Sequence, residues 1–534
     1  MSCRGAKSFC SAELLPSQRH HGKQAAPEWA EVNVSAVRTE RPRRFGDVWL
    51  ALELLRRLHL DRFFQNQLAS TRPDIAWADL ATIVIVARFC EPSSELYIAE
   101  HFYKNSALAD LLGIPANKIY DNRLYRALDP LLPHKDQLQQ HLKERFGKLF
   151  QINYDLMLYD VTSTYFEGEA AANPQAQHGH SRDHRSDCKQ VCIALVVTKE
   201  GIPLGYEIFA GNTHDSKTVE DIVTKMEKLY GKADRIWIMD RGMTSPKTLT
   251  LLNEEHRRYI LGMPKSQLKY FAAELEQEGW QTIREGLEVK LCSASLGREE
   301  EVFILCRSAA RAAKEKAIHD RFLKCLEAEL CQLQKSCDTG RVPSAQLAER
   351  RLGRLLERHQ RAAAFFTITV RDNNGMVQVT WSQCEPQKTW AQISEGCYVL
   401  RSNVKNWTAT ELWQAYIQLT DAEAAFRIHK NDLELRPIWH QKEKRVHAHI
   451  LVCFLAYVLW KCFGQMCKQA GLGDEPRKVI AELKNLQLTD VVLPTRKGID
   501  IHLRCVSKPD PDLALLMHKL KLKPPVRLTP DHNL

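Results

Sequence analysis

The sequence lacks the short motifs that mark several large enzyme classes. It contains no GxxxxGKS/T or GxGxxG motif, so neither a nucleotide-driven motor nor a nicotinamide-dependent enzyme is indicated. No serine or cysteine lies in a nucleophile-elbow motif, and no HExxH motif is present. These absences argue against catalysis by a Ser or Cys nucleophile and against a zinc protease.

Cysteine pairs at metal-binding spacing are also missing. The 16 cysteines are scattered and form no CxxC pair, so we expect reduced thiols rather than a disulfide framework or a zinc module. Two groups of histidines have no cysteine partner at zinc-finger spacing, and we do not expect zinc there: these are His178, His180 and His184, and His440, His447 and His449.

Long hydrophobic runs are absent as well. The longest, Ile450–Trp460, is far shorter than the ~20 residues that cross a bilayer, and it predicts a buried core helix. The segment Met1–His21 mixes Arg, Lys, Glu and Pro without the apolar centre of a secretory signal. We therefore expect a cytoplasmic protein with no membrane partner.

The overall composition is that of a folded protein with several structural units. Hydrophobic residues make up 44% and charged residues 26% of 534 residues, which is too long for a single core. The formal net charge of +10 is mild for this length. It is compatible with a polyanionic partner but does not identify one.

Changes in pattern along the chain predict six segments. A small helical unit that bears arginines could recognise DNA or could equally be a structural cap, and both readings stay open. The predicted segments are a flexible basic arm (1–44), a helical N-terminal DNA-binding domain (45–150), the first part of a core (151–265), an insertion domain with a helical hairpin and strands (266–412), the C-terminal core helices (413–470) and a tail (471–534).

The segment from Asp155 onwards has the texture of an α/β sheet. Its elements follow the order strand, strand, strand, helix, strand, helix, strand, beginning with DLMLYD and ending with RRYILGMPK. That order is the one found in RNase H-like cores. The predicted fold is therefore α/β, with an RNase H-like mixed-sheet core interrupted by an insertion domain and preceded by a helical domain.

Two aspartates follow apolar strand patterns in this core. Asp160 is predicted to close DLMLYD, and Asp240 is predicted to close RIWIMD. Ligands of open α/β sheets bind at the carboxyl ends of strands, which favours a functional role. An Asp that ends a strand can also simply begin a turn or cap a helix, so the pattern alone leaves both interpretations open.

A third acid lies in a predicted helix near the end of the core. Tyr416, Glu423 and Lys430 are separated by seven residues each, which places them on one helical face. The simpler interpretation is an amphipathic helix whose charges are solvated.

These segments resemble the catalytic motifs of bacterial insertion-sequence transposases of the IS-four-like group of DDE enzymes. That group carries Tyr, two residues, Arg, three residues, Glu, six residues and Lys around its catalytic glutamate. Tyr416, Glu423 and Lys430 match in register, whereas Leu419 occupies the Arg position. The resemblance covers about Asp155 to Tyr457 and includes YDVTSTYFEGE, GHSRDHRSDCKQV, GNTHD, MDRG and LELRPIWHQKEKRVHAHILVCFLA.

The resemblance implies a DNA transposase that cleaves element ends and transfers strands. Asp160, Asp240 and Glu423 would hold two Mg²⁺ ions, with Mn²⁺ able to substitute, because such ions prefer oxygen ligands. It also implies a homodimer on double-stranded DNA, in a bacterial cytoplasm and at the nucleoid when bound. The candidate DNA-binding residues are Tyr416, Arg427, Lys430, Arg241, Arg436, Arg182 and Arg185.

Two alternatives remain open from the sequence. An RNase H-like nuclease would cut nucleic acid with the same acids but would not join strands. A transposase-derived DNA-binding protein would have lost catalysis, and the Leu419 departure leaves room for that reading.

Overall fold

The fold was analysed in a computed structural model that describes residues 30–68, 74–152, 154–231, 235–254, 256–293, 301–373 and 376–528. Most of the predicted basic arm, residues 1–29, lies outside the described residues. The described chain contains two mixed or antiparallel sheets, a separate hairpin and a large helical layer.

The N-terminal region is helical, as predicted. After one strand, most of its apolar side chains pack into the main core of the molecule. Its elements are β1 (Arg38–Arg44), α1 (Gly46–Arg57), α2 (Leu60–Gln67), α3 (Trp77–Cys90), α4 (Glu95–Tyr97), α5 (Tyr103–Asn105), α6 (Leu108–Leu112), α7 (Asp121–Leu131) and α8 (Lys135–Phe150).

The predicted α/β core has the expected element order. Its elements are β2 (Leu156–Tyr165), β3 (Gln190–Val197), β4 (Pro203–Ala210), α9 (Val219–Tyr230), β5 (Ile236–Met239), α10 (Pro246–Glu254) and β6 (Arg258–Gly262). Strands β2, β3 and β4 are successively antiparallel, whereas β5 runs parallel to β2 and β6 runs parallel to β5. The mixed-sheet prediction is therefore confirmed.

The predicted insertion divides into two parts. Four of its strands extend the core sheet to nine strands, in the order β4-β3-β2-β5-β6-β12-β9-β8-β7. The elements between residues 309 and 383 pack around a cluster of their own. The elements are α11 (Ala272–Glu276), β7 (Gln281–Arg284), β8 (Leu287–Ser293), β9 (Val302–Ser308), α12 (Ala309–Asp338), α13 (Ala345–Arg358), α14 (Gln360–Ala363), β10 (Phe366–Asn373), β11 (Met376–Gln383), α15 (Glu385–Ser394) and β12 (Cys397–Ser402).

Three helices return the chain to the core: α16 (Ala409–Ile417), α17 (Leu419–Arg427) and α18 (Glu443–Gln469). By length and composition α18 could cross a membrane, but 94% of its most apolar window is buried inside the protein. It contacts α3, α7 and α1, which matches the core helix predicted from Ile450–Trp460.

The C-terminal segment folds back onto the N-terminal region. Its elements are α19 (Pro476–Leu483), β13 (Gln487–Pro494), β14 (Asp500–Val506), α20 (Pro511–Lys519) and β15 (Arg527–Leu528). The three strands join β1 of the N-terminal region in a second sheet, in the order β1-β13-β14-β15. The prediction of a flexible arm is wrong for Arg38–Arg44, because this segment is strand β1 and its Arg43 is buried between Asp110 and Asp490.

Candidate active site

Asp160 and Asp240 lie at the same level of two neighbouring parallel strands. In the pairing of β2 with β5, Tyr159 lies opposite Met239, and each aspartate is the next residue. The prediction that Asp160 closes its strand is wrong, since β2 continues to Tyr165 along β3. Asp160 instead lies where the parallel neighbour β5 stops, which opens one side of β2 beside both carboxylates.

Helix α17 brings the third acid to the same place. It packs on β2, and its Glu423 side chain is exposed. Asp160, Asp240 and Glu423 all line one cavity of about 440 Å³. The structure therefore brings together three acids that lie as much as 263 positions apart in the sequence.

Asp160 has the most perturbed environment of these acids. Its side chain is half-buried, and burial is the main reason that its pKa rises to about 7. The negative charges of Asp240 and Glu423 raise this pKa further, whereas the Val161 N–H and the Arg182 charge lower it. The three carboxylates are thus close enough to repel one another electrostatically.

Tyr416 connects α16 to the site, as its position in the predicted motif suggests. Its hydroxyl donates a hydrogen bond of 3.2 Å to Asp240 Oδ1. Burial raises the pKa of Tyr416 far above its ordinary value, so the hydroxyl stays a neutral donor. The ring end lies against Gly262 at the end of β6, where an added Cβ would meet the Tyr416 hydroxyl and approach the Arg241 N–H at 3.1 Å.

Two of the predicted DNA-binding cations are available to solvent. Arg241 follows Asp240 directly and lines the cavity, and its side chain is exposed. Arg427, one turn beyond Glu423 on α17, is also exposed.

The other four predicted cations form ion pairs within the chain. Arg182 pairs with Asp215 at 2.5 Å, and Arg185 pairs with Asp187 at 2.9 Å. The remaining two, Lys430 and Arg436, share the buried Asp183, and the Lys430 Nζ–Asp183 Oδ1 distance is 2.8 Å. The pairs with Asp183 hold the loop between β2 and β3 against the segment that follows α17, and the Arg182 pair joins this loop to the segment after β4.

The helix that carries the motif is less regular than predicted. It is divided at Gln418, and Ile428–Asp432 forms a π-helical turn. Seven-residue spacing keeps two side chains on one face only in a regular α-helix. Lys430 therefore turns towards Asp183. Leu419, at the motif's Arg position, is only 8% exposed and lines the cavity wall.

Sequence reasoning missed three cations on the opposite wall of the cavity. Lys265, Arg284 and Arg311 come from the predicted insertion and its border. Lys265 and Arg311 both pair with Glu315, at 2.6 and 3.2 Å, while the Arg284 guanidinium lies 5.9 Å from the Trp413 ring centre. No local pattern marks them, because they reach the acids only through the extension of the sheet by β7, β9 and β12.

The donor set has the chemistry of a site for a hard divalent cation. Asp160, Asp240 and Glu423 offer carboxylate oxygens, the ligands that such cations prefer. In the part of the chain that the structure describes, no three His, Cys, Asp or Glu side chains converge into a ready metal-binding group. The three acids share a cavity and would need side-chain movements to hold an ion together.

Comparison with known proteins identifies the family of the segment that holds the three acids. A family described as the transposase DDE domain matches residues 153–459, which is more than half of the chain and contains all three acids. A solved piggyBac transposase synaptic complex with hairpin DNA is similar over 84% of this chain and 82% of that chain, at 9% identity and a TM-score of 0.40, too low to support an argument. No curated protein matches. The chain belongs to the transposase DDE domain family.

Proposed function

We propose that this protein cuts DNA at the ends of a mobile element and joins the freed strands to a target, with Asp160, Asp240 and Glu423 as its metal-holding acids. Membership of the family implies DDE transposase chemistry in DNA transposition. The observation that carries the finer proposal is the convergence of one acid from β2, one from the end of β5 and one from α17 on a single cavity.

The chemistry needs little from the protein beyond position and charge. Bound Mg²⁺ or Mn²⁺ would activate the attacking oxygen and stabilise the leaving oxygen of a phosphodiester. Asp160 must lose the proton that its raised pKa retains, and Tyr416 orients the Asp240 carboxylate through its hydroxyl. These two features set the protonation of Asp160 and the orientation of Asp240 before a metal ion binds.

The opposite wall of the cavity suits the phosphate backbone. Lys265, Arg284 and Arg311 line it, and Arg241 lines the same cavity beside Asp240. Cations that line the same cavity as the acids can bind the phosphates that flank the scissile bond. They supply positive charge at a site whose motif has Leu419 at the position of the arginine.

The seven predicted DNA-contacting residues divide into three roles in this proposal. Arg241 and Arg427 contact DNA directly, and Tyr416 orients an acid. The remaining four position the loop between β2 and β3 through their ion pairs: Lys430, Arg436, Arg182 and Arg185. The protein would act as a homodimer on double-stranded DNA in a bacterial cytoplasm.

The decisive experiment measures cleavage and joining of DNA that carries the sequences flanking this gene, in Mg²⁺ or Mn²⁺. Asp240→Ala should abolish both reactions and retain DNA binding. Asp500→Ala removes a carboxylate of the terminal sheet that is also exposed, and this variant should behave as wild type.

Each other outcome has a defined meaning. Cutting without joining would indicate an RNase H-like nuclease. DNA binding without cutting by the wild type, in either metal, would indicate a DNA-binding protein that has lost catalysis. An active Asp240→Ala variant would refute the assignment of the acids.

A further inference from the structure

Helix α13 carries a row of arginines far from the cavity. Arg350, Arg351, Arg354 and Arg358 are all exposed, and they are here called the arginine face. At about 100° per residue they fall within roughly one quarter to one third of the helix circumference. The helix has only two acids, Glu349 and Glu357, against these four cations.

The direction of the arginine face is fixed by the packing behind it. Ala348, Leu352 and Leu355 on the opposite side of α13 are buried in a cluster with side chains of α12, β10 and β11. Ser344 caps the first turn by accepting a hydrogen bond from the Leu347 N–H. The arginines therefore project from a well-anchored helix rather than from a loop.

Most of this positive charge is not neutralised by the residues that the structure describes. Arg358 pairs with Glu329 at 3.2 Å. For Arg350, Arg351 and Arg354, no ion pair with an acid is found among the residues that the structure describes. Like charges at a spacing of four residues destabilise a helix slightly, and a bound polyanion would remove that repulsion.

One continuous helix, α12, runs from the cavity to the region where α13 presents the arginine face. α12 starts at Ala309, between the cavity residues Ser308 and Arg311, and α13 runs back along its far half, where Glu329 contacts Arg358 and His359. The 20 residue steps from Ala309 to Glu329 span about 30 Å of helix. The arginine face begins at this distance from the cavity and continues outwards.

That distance corresponds to the repeat of duplex DNA. A helical turn measures roughly 34–36 Å, so phosphates on the same side of the duplex recur at about this separation. DNA that has one strand in the cavity and extends parallel to α12 on the side of the arginine face would present its next row of phosphates to that face. Four guanidinium groups on a fixed helix are well suited to such contacts.

We propose that the arginine face of α13 is a second DNA-binding surface, which holds duplex DNA about one helical turn from the scissile phosphate. This inference rests on the proposed function, because it assumes that DNA occupies the cavity. It assigns a role to the part of the insertion that does not join the large sheet. An acidic polypeptide is the competing partner for such a surface.

The test replaces the three unpaired arginines together, as R350Q/R351Q/R354Q. These side chains make no ion pair with the described residues, so we expect unchanged thermal unfolding. The matched control is K497Q/K508Q/K523Q, which removes from the C-terminal segment three exposed cations that likewise make no ion pair with the described residues. Both sets are made in the Asp240→Ala background, which keeps the DNA intact during binding measurements.

Binding is measured with 10- and 30-base-pair duplexes of the gene-flanking sequence over a range of salt concentrations. Each lost phosphate contact should reduce the salt slope by about 0.9, so the arginine variant should lose roughly 2–3 on the long duplex. It should also lose most of the affinity that the single variant Asp240→Ala gains between the short and the long duplex. The control should keep both.

Two results would overturn the inference in distinguishable ways. If the single variant Asp240→Ala and the arginine variant share the same salt slope and length dependence, the arginine face does not bind DNA, and an acidic protein partner is favoured. The proposed function would stand as long as wild type still cuts and joins DNA. If Asp240→Ala binds neither duplex and wild type does not cut, both the inference and the proposed function fail.

Discussion

Asp160 is a carboxyl group whose charged form the fold disfavours. Burial raises its pKa to about 7, against an ordinary value of 3.8. Between these two pH values the folded protein binds a proton at Asp160 that the unfolded chain has released. A divalent cation would reverse the preference, because it binds only the deprotonated carboxylate.

The first prediction concerns pH. Without metal, the contribution of Asp160 to the free energy of unfolding should fall as pH rises from about 4 to about 7, because the folded state holds the proton more tightly. Asp160→Asn should remove this contribution, so the stabilities of the two proteins should diverge over that range. Urea unfolding at several pH values in EDTA measures it. Parallel curves for the two proteins would contradict the prediction.

The second prediction tests the hydrogen bond from Tyr416 to Asp240. Tyr416→Phe keeps the ring and removes the hydroxyl that donates at 3.2 Å. A hydrogen bond to a charged group contributes about 1.5–3 kcal/mol, so the cleavage rate should fall by roughly 10- to 100-fold. Single-turnover cleavage at saturating metal measures the effect. A wild-type rate would show that the hydroxyl has no part in orienting the acid.

At the scale of elements, the site depends on how closely α16 approaches the end of β6. Gly262 is the point of contact, because an added Cβ there would collide with the Tyr416 hydroxyl. Gly262→Ala should displace this side chain and reduce cleavage at least as much as Tyr416→Phe. Gly262→Ala combined with Tyr416→Phe should be no slower than Gly262→Ala alone, since both act through the same hydroxyl.

A double-variant cycle decides whether this is the mechanism. If the two substitutions multiply in their effects on the cleavage rate, Gly262 acts through another group, such as the Arg241 N–H at 3.1 Å from the built Cβ. Thermal unfolding of each variant provides the control, because it shows whether a loss of cleavage reflects a loss of stability.

Regular elements were predictable from the sequence, and irregular junctions were not. Apolar periodicity identified β2, β5 and the order of strands and helices along the core, and it placed Asp240 correctly at the end of β5. It ended β2 too early, because Asp160 interrupts the apolar run although the pairing with β3 continues to Tyr165. A sequence shows the pattern of burial but not the length of a neighbouring strand.

Contacts between distant segments were the other limit. The seven-residue spacing of Lys430 from Glu423 suggested a shared face, but the π turn and the buried Asp183 orient Lys430 away from that face. Asp183 lies 247 positions earlier in the chain. Arg284 and Arg311 reach the cavity only because β7 and β9 extend the sheet, which no local pattern reveals.

At the scale of the whole molecule, the two ends of the described chain are joined by a buried group of four charges. Arg43 of β1 and Arg504 of β14 lie between Asp110 of α6 and Asp490 of β13. Burial raises the pKa of Asp110, whereas the pKa of Asp490 is lowered by its two arginine hydrogen bonds in spite of burial. The terminal sheet is therefore tied to the helical domain that precedes the catalytic core.

The last prediction follows from this group. Asp490 accepts hydrogen bonds from Arg43 at 2.8 and 3.1 Å and from Arg504 at 3.0 Å, and both arginines are less than 10% exposed. Asp490→Ala leaves two buried guanidinium groups with Asp110 alone, and breaking a buried pair in this way costs about 3–5 kcal/mol. Asp500→Ala breaks the exposed pair with Arg38 in the same sheet, at 3.3 Å, and should cost less than about 1 kcal/mol. Urea unfolding compares the two variants. Equal losses of unfolding free energy would mean that the terminal sheet is held by its apolar packing. The charge group would then contribute little to the stability of the molecule.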